Sequence, residues 1–261
     1  MRSLCSTVLV WACAALSAWA QASAQVVDLP TRPGVSQRLL VLAPESPKAV
    51  VVNFAGGHGG LQISPTGTLG WGEGNFVVRT RKLWVEQGLA VLVIDAPSDR
   101  QVPPYLAGNR QTPEHAADVG AAVVWARERF RQPVWLVGTS RGTQSVAYLA
   151  TELQGAQAPD GIVLTSSIAT DPKGRSVNAM PLERVRVPVL VVHHEKDGCS
   201  LCAFSDVPPI LDKLTQSPRK ELISFTGGVS RGDPCEAMAF HGYNGIEAEV
   251  VARIAAWIAP R

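Results

Sequence analysis

The sequence predicts an α/β protein in which a doubly wound, mostly parallel sheet carries helices on both faces. Short unbroken apolar runs recur along the chain, and strands that are apolar on both sides are typical of a parallel sheet covered by helices. Amphipathic stretches with helical spacing lie between these runs, which indicates right-handed crossover connections. No repeat or linker divides the 261 residues, so we expect a single domain.

Each element is predicted from its own pattern. The run 89–95, Leu-Ala-Val-Leu-Val-Ile-Asp, is apolar up to a terminal acid, and 49–54 is almost continuous valine. In 114–130, Ala117, Ala121 and Val124 share one helical face. The predicted strands are 36–42, 49–54, 89–95, 133–137, 161–165, 188–193 and 220–225. The predicted helices are 76–87, 114–130, 141–153, 206–215 and 245–258.

The composition excludes several classes of protein. The chain is 46% hydrophobic and 18% charged, which is too apolar for a disordered protein. Its 24 Lys and Arg against 22 Asp and Glu give a net charge of +2, with no basic cluster. Nucleic acid is therefore not an expected partner, and we expect a small molecule instead.

The first residues resemble a secretory signal peptide. Arg2 is followed by an apolar run over 4–20 and by Ala-Ser-Ala at 22–24, a small-residue cleavage site. We expect residues 1–24 to be removed, so that the domain comprises 25–261. A retained membrane anchor is the alternative, but the run is marginal for spanning a bilayer. The mature protein is then expected to be free of the membrane and exported, to a bacterial periplasm or outside the cell.

Export changes the interpretation of the five cysteines. Cys5 and Cys13 belong to the leader, which leaves Cys199, Cys202 and Cys235. In an oxidising compartment two of them are expected to form a disulfide, with one thiol left over. The Cys-x-x-Cys spacing at 199–202 also occurs in zinc sites, but a single such pair is a weak signal. We therefore expect neither a metal nor a cofactor.

A nucleophile motif follows the predicted strand 133–137. Residues 138–142 read Gly-Thr-Ser-Arg-Gly and precede a predicted helix. This is the G-x-S-x-G nucleophile elbow in its strand–turn–helix context, which exposes the hydroxyl of Ser140. The bare pattern also arises by chance, so its placement carries the prediction.

A serine nucleophile needs a base and an acid that orients the base. Asp197 follows the strand 188–193, and His241 precedes the last helix. The order is therefore Ser140, Asp197, His241. Other strand-end residues compete for these roles, namely Glu195, Asp171 and Asp95 for the acid and His58, His115, His193 and His194 for the base.

At this point the chain resembles the α/β-hydrolase superfamily, over about residues 36–258. The resemblance rests on the elbow, on Val-Leu-Val-Val-His-His-Glu-Lys-Asp at 189–197 and on the late His-Gly at 241–242. It implies that Ser140 attacks a carbonyl, that His241 transfers the proton and that Asp197 orients the imidazole. It also implies an oxyanion hole made by the backbone amides of Arg141 and of an early glycine loop.

The early glycine loop, Ala-Gly-Gly-His-Gly-Gly at 55–60, departs from the family pattern. The family usually has His-Gly where this chain has Ala55 and Gly56, so Gly57 is the first candidate donor and Gly56 or His58 remain open. The loop lacks a Walker lysine and a G-x-G-x-x-G pattern, which argues against a nucleotide.

The resemblance also places the cysteines. Loops after neighbouring final strands meet at one edge of the sheet, so a Cys199–Cys235 disulfide would tether the acid loop to the histidine loop. Cys202–Cys235 is the second possibility, and Cys199–Cys202 is the least favoured pairing.

The expected function is that of an exported serine esterase that cleaves small carboxylic esters through an acyl-enzyme. Only a short polar segment separates the strands 161–165 and 188–193, so no large cap domain is expected. Trp71 and Tyr105 are candidate walls of the open site. A peptidase or amidase is the alternative within enzymes. A non-catalytic binding protein with a hydrolase fold is the alternative outside them. The sequence leaves the oligomeric state open.

Overall fold

The computed structural model describes residues 24–172 and 174–259, arranged around an eight-stranded sheet. Apart from residue 24, the expected signal peptide lies outside the described residues. The strand order is β1-β2-β4-β3-β5-β6-β7-β8. β1 and β2 run antiparallel, as do β2 and β4, and the other neighbours are parallel. The strands are β1 (Gln25–Arg32), β2 (Val35–Leu42), β3 (Ala49–Phe54), β4 (Leu89–Ile94), β5 (Val134–Thr139), β6 (Gly161–Thr165), β7 (Val189–His194) and β8 (Lys220–Phe225).

Helices cover both faces of this sheet, as the sequence predicts. They are α1 (Phe76–Arg79), α2 (Arg81–Glu86), α3 (Pro113–Phe130), α4 (Gly142–Glu152), α5 (Pro208–Lys213) and α6 (Glu247–Ile258). Apolar residues of α3, α4 and α5 pack on one face, and those of α1, α2 and α6 pack on the other. The central strands β3 to β7 are buried throughout, because each is sandwiched between two helical layers. The doubly wound fold class is therefore confirmed.

Two elements differ from the sequence-based expectation. The segment predicted as one helix, 76–87, is two short helices that break at Thr80. The Thr80 hydroxyl donates to the carbonyl of Phe76 at 2.6 Å and accepts from the indole of Trp84 at 3.0 Å, and such back-bonding bends helices. β1 was not predicted, because Pro30 interrupts its apolar pattern. Proline is tolerated there because β1 is an edge strand.

The connection between β6 and β7 leaves the carboxyl edge of the sheet open. Its described part contains two single-turn 3-10 helices, Val177–Ala179 and Leu182–Arg184, and no cap domain. Across the described residues, no helix combines the length and apolarity that a membrane span needs.

Candidate active site

Ser140 lies in a strained turn between β5 and α4. Its φ is +52°, in the left-handed region that side chains other than glycine rarely adopt. The two flanking glycines make this turn possible by close packing. A Cβ at Gly142 would lie 2.1 Å from the carbonyl oxygen of Phe54, and one at Gly138 would lie 2.6 Å from Gly142. The turn therefore has the strained strand–turn–helix geometry that the sequence predicts for a nucleophile elbow.

His241 and Asp197 form a buried pair beside this elbow. The Nδ1 of His241 donates to the Oδ2 of Asp197 at 2.8 Å, and both side chains are almost fully buried. The other carboxylate oxygen of Asp197 accepts from the amide of Cys199 at 3.0 Å. The hydrogen bond between His241 and Asp197 fixes the tautomer of the imidazole, with the proton on Nδ1, and leaves its Nε2 able to accept a proton.

Ser140 and His241 both line one cavity, which has a volume of about 480 Å³. The Nε2 of His241 is buried, and within the described residues it has no hydrogen-bond partner. Catalytic hydrogen bonds are often long without a substrate, so this geometry is compatible with a nucleophile–base pair of Ser140 and His241. The residues that line this cavity also include Gly56, Gly57, Trp71, Arg141, Cys199 and Cys235.

The amides of Gly57 and Arg141 are available as donors at this cavity. In the part of the chain that the structure describes, neither backbone N–H has a hydrogen-bond acceptor. Gly57 has a φ of +55°, and a Cβ there would lie 2.6 Å from the Trp71 ring, so this position requires glycine. Gly56 also lines the cavity. His58 is not among the residues that line the cavity. Its ring packs against those of Trp71 and Tyr105, at centroid distances of 3.8 and 4.4 Å.

A disulfide joins the acid loop to the histidine loop. Cys199 and Cys235 are bonded, 36 positions apart in sequence, which is the first of the pairings expected. Both residues line the cavity. Cys202 is the remaining thiol of the described residues, and its burial raises its pKa above the ordinary range.

The competing acids have other partners. Asp95 accepts from the amides of Leu61 at 2.6 Å and Ile63 at 2.8 Å, and so fixes the end of the glycine loop. The Arg141 guanidinium donates to Asp171 at 2.7 Å. Glu195 is exposed and accepts from the hydroxyl of Ser224. None of these three carboxylates is hydrogen-bonded to a histidine among the described residues.

The other candidate histidines are also engaged, by hydrogen bonds to backbone carbonyls or by contacts with aromatic rings. The Nε2 of His193 donates to the carbonyl of Cys202 at 2.7 Å and lies 3.6 Å from Asp197. Desolvation lowers its pKa. His194 donates to the carbonyl of Gly227 and stacks on Phe240. His115 is buried against Phe54, and desolvation lowers its pKa to about 3.

Two residues that the sequence did not single out hold the histidine loop. The Ser166 hydroxyl, just beyond β6, donates to the carbonyl of His241 at 2.7 Å. The Tyr243 hydroxyl donates to the carbonyl of Val192 at 2.8 Å and accepts from the amide of Ser166. The only signal in the sequence is the position of Ser166 at a strand end, which gives no hint of its partner.

Three side chains near the site carry atoms that could bind a metal ion. One ligand atom each of Cys199, Cys202 and His241 lies within 4.8 Å of the others. Because the sulfur of Cys199 is bound in the disulfide, it is not a thiolate, and two ligands are too few for a structural zinc site.

The comparisons with known proteins concern the fold. No protein-family model and no curated protein matches the chain. Among solved structures, an esterase of Pyrococcus furiosus aligns with a TM-score of 0.64 at 13% identity, over 91% of each chain. The dienelactone hydrolase of Anabaena variabilis aligns with a TM-score of 0.61 at 17% identity, over 91% of this chain and 96% of its own.

A third similar structure is a lidless α/β serine hydrolase of Xanthomonas campestris. It aligns with a TM-score of 0.58 at 17% identity, over 93% of this chain and 97% of its own. The sheet order, the helices on both faces and these alignments define the class: the chain has the α/β-hydrolase fold, without a lid.

Proposed function

We propose that this protein is a serine hydrolase that cleaves small carboxylic esters through an acyl-enzyme. The observation that carries the proposal is the buried His241–Asp197 pair: His241 lines the same cavity as the strained Ser140, and its Nε2 has no hydrogen-bond partner among the described residues. The names of the similar structures, which include esterases and a serine hydrolase, support the same class of reaction.

In the proposed mechanism, Ser140 is the nucleophile. Its hydroxyl oxygen attacks the ester carbonyl while the Nε2 of His241 takes the proton. The imidazolium that forms is stabilised by the negative charge of Asp197. The backbone amides of Gly57 and Arg141 donate to the oxyanion of the tetrahedral intermediate. Collapse of this intermediate expels the alcohol, which receives the proton from His241, and a water molecule then hydrolyses the acyl-enzyme by the same steps.

The shape of the cavity supports small or exposed substrates. A volume of about 480 Å³ lies at the low end of the range typical of small-molecule sites. Since no cap covers it in the described residues, long acyl chains would find little apolar surface to bury. Trp71 is 37% exposed, lies beside Gly57 and lines the cavity, so its large apolar ring is available to contact a substrate.

The experiment that tests the proposal is labelling with a fluorophosphonate, which reacts with activated serines. We expect one adduct, located at Ser140 by peptide mass spectrometry, and none in Ser140→Ala. Ser205→Ala is a matched control, since Ser205 is exposed and bonded only to Asp206 among the described residues, and it should label like the wild type. A folded wild-type protein that is not labelled supports the binding-protein alternative.

Substrate turnover separates the esterase from the peptidase or amidase. Aryl esters of short and long acyl chains and the matching aryl amides would be compared by kcat/KM. We expect short-chain esters to be the best substrates. Faster turnover of the amides would favour the alternative on the same scaffold.

We also propose that the protein is exported after removal of residues 1–24. The Cys199–Cys235 disulfide is suited to an oxidising compartment, and β1 begins at Gln25, directly after the expected cleavage site. Amino-terminal sequencing of the protein from an extracytoplasmic fraction should give Gln25 as the first residue.

A further inference from the structure

Arg110 is a buried cation beside the glycine loop, and the proposed reaction gives it no role. Its residue is 5% exposed, and no carboxylate of the described residues pairs with it. Desolvation, together with the charge of Arg141, lowers its pKa to about 9. Burying a charge without an ion-pair partner costs free energy, so the hydrogen bonds of this guanidinium must offset the cost.

The guanidinium of Arg110 donates hydrogen bonds mainly to backbone carbonyls. Its Nη2 donates to the carbonyl oxygens of Ala55 at 2.9 Å and Gly57 at 3.2 Å, with Gly56 at the longer distance of 3.5 Å. Its Nη1 donates to the hydroxyl of Ser145 in α4 at 3.0 Å. One side chain therefore ties three successive loop carbonyls to the helix that follows Ser140.

The geometry of the peptide bond transmits this restraint to the other side of the loop. In a trans peptide the carbonyl of one residue and the N–H of the next point in opposite directions. The bonds from 55 to 58 are trans, since the cis peptide found among the described residues is Pro103-Pro104. Fixing the carbonyls of Ala55, Gly56 and Gly57 therefore fixes the N–H groups of Gly56, Gly57 and His58. These three amides are the candidates for the oxyanion donor that acts beside the amide of Arg141.

The packing around the guanidinium is made for this contact. A Cβ at Gly59 would lie 2.5 Å from the Nη2 of Arg110, so the loop closes over the guanidinium only with glycine there. The φ of Gly59 is +75°, which also favours glycine. The loop therefore contacts the guanidinium both through its carbonyls and through the close approach of Gly59.

We propose that Arg110 is the positioning residue of the oxyanion hole: by holding the carbonyls of Ala55 and Gly57, on either side of the Gly56–Gly57 peptide, it keeps the amide of Gly57 pointing at the substrate oxygen. This inference rests on the proposed function. It differs from a general structural role, because it predicts a loss of transition-state binding that exceeds the loss of substrate binding.

The test compares Arg110→Met and Arg110→Lys with the wild type. Methionine removes every donor while keeping an unbranched side chain, and lysine keeps the charge but not the planar, branched set of donors. Arg127→Met is the matched control, since Arg127 also donates to a backbone carbonyl, that of Ala158, away from the site. The readouts are kcat and KM for a short-chain aryl ester, and the Ki of an aryl trifluoromethyl ketone, whose adduct with Ser140 carries the oxyanion.

For Arg110→Met we expect kcat to fall about 10²-fold, the effect of losing one oxyanion donor, with KM changed by less than about threefold. The Ki of the ketone should rise in parallel with the fall in kcat/KM, and Arg127→Met should change neither. For Arg110→Lys we expect a smaller fall, about tenfold, because the charge remains and the carbonyl contacts are only partly replaced.

Unchanged kcat and Ki in a folded Arg110→Met would overturn the inference. A fall in kcat with no change in Ki would do the same, since the loss would then lie outside the oxyanion hole. If the methionine variant does not fold, Arg110→Lys decides: wild-type kcat and Ki in that variant overturn the inference. A wild-type protein that neither turns over esters nor labels at Ser140 overturns the proposed function, and this inference with it.

Discussion

The Nδ1 of His241 and the Oδ2 of Asp197 lie 2.8 Å apart, although 44 positions separate the two residues in the chain. The pair is buried, and the Asp197 carboxylate has a second donor in the amide of Cys199. The hydrogen bond orients the imidazole of His241, which lines the same cavity as Ser140 and whose buried Nε2 has no hydrogen-bond partner among the described residues.

Asp197→Asn should lower kcat by about 10³- to 10⁴-fold with little change in KM, because the amide can donate to Nδ1 and so favours the wrong tautomer. Steady-state hydrolysis of a short-chain aryl ester measures the effect. Glu195→Gln is the control, since this exposed acid two positions away bonds to Ser224 and should keep wild-type turnover. Equal activity of the two variants would assign the acid to another residue.

Cys235→Ser should lower the free energy of unfolding by about 3–4 kcal/mol, because the disulfide closes a loop of 36 residues in the unfolded chain. Cys235 is exposed, so the new hydroxyl remains in water. Urea denaturation measures the difference. A thiol reductant should shift the wild-type midpoint toward that of the variant and leave the variant unchanged. A midpoint of Cys235→Ser equal to that of the oxidised wild type would contradict this account.

His115→Leu should reduce the loss of stability on acidification. Desolvation lowers the pKa of His115 to about 3 in the folded state. The unfolded state, with an ordinary pKa of about 6.5, binds the proton more readily between these values. Stability contributed by the neutral ring is therefore lost as the pH falls below about 6.5, by about 2 kcal/mol at pH 5.

The measurement for His115→Leu is urea denaturation at pH 8 and pH 5. The difference in unfolding free energy between the two pH values should be smaller in the variant by roughly that amount. His193, whose pKa is also lowered by burial, titrates in both proteins and cancels in the comparison. An identical pH dependence of the two proteins would show that His115 does not couple protonation to unfolding.

Trp71→Ala should raise KM for aryl esters about tenfold with a smaller change in kcat, because the ring borders the cavity and offers apolar surface to the substrate, whereas the Gly57 amide beside it is a backbone group that remains. Val102→Ala is the control, since Val102 is 70% exposed and does not line the cavity. Initial-rate kinetics over a range of ester concentrations gives both constants. A KM equal to that of the wild type would remove Trp71 from the substrate site.

Much of the fold was predictable because its signals are local. The buried runs that become β3 to β7 are apolar on both sides, and that pattern depends only on their own residues. Ser140, Asp197 and His241 could be selected because parallel strands end at one edge and present their following loops together. β1 escaped prediction because Pro30 interrupts its apolar pattern. The break at Thr80 escaped prediction because it depends on the hydrogen bonds of one hydroxyl to Phe76 and Trp84, which leave no trace in the periodicity.

By itself, the sequence determined the alternation of strands and helices, the elbow around Ser140 and the order of the candidate triad. Only the tertiary structure decided that Asp197, rather than Asp171 or Glu195, is hydrogen-bonded to His241. It also decided that Arg110 holds the carbonyls of the glycine loop. The physical reason is the same in each case: periodicity records which face of an element is buried, whereas a hydrogen bond depends on which distant groups the folded chain brings within about 3 Å.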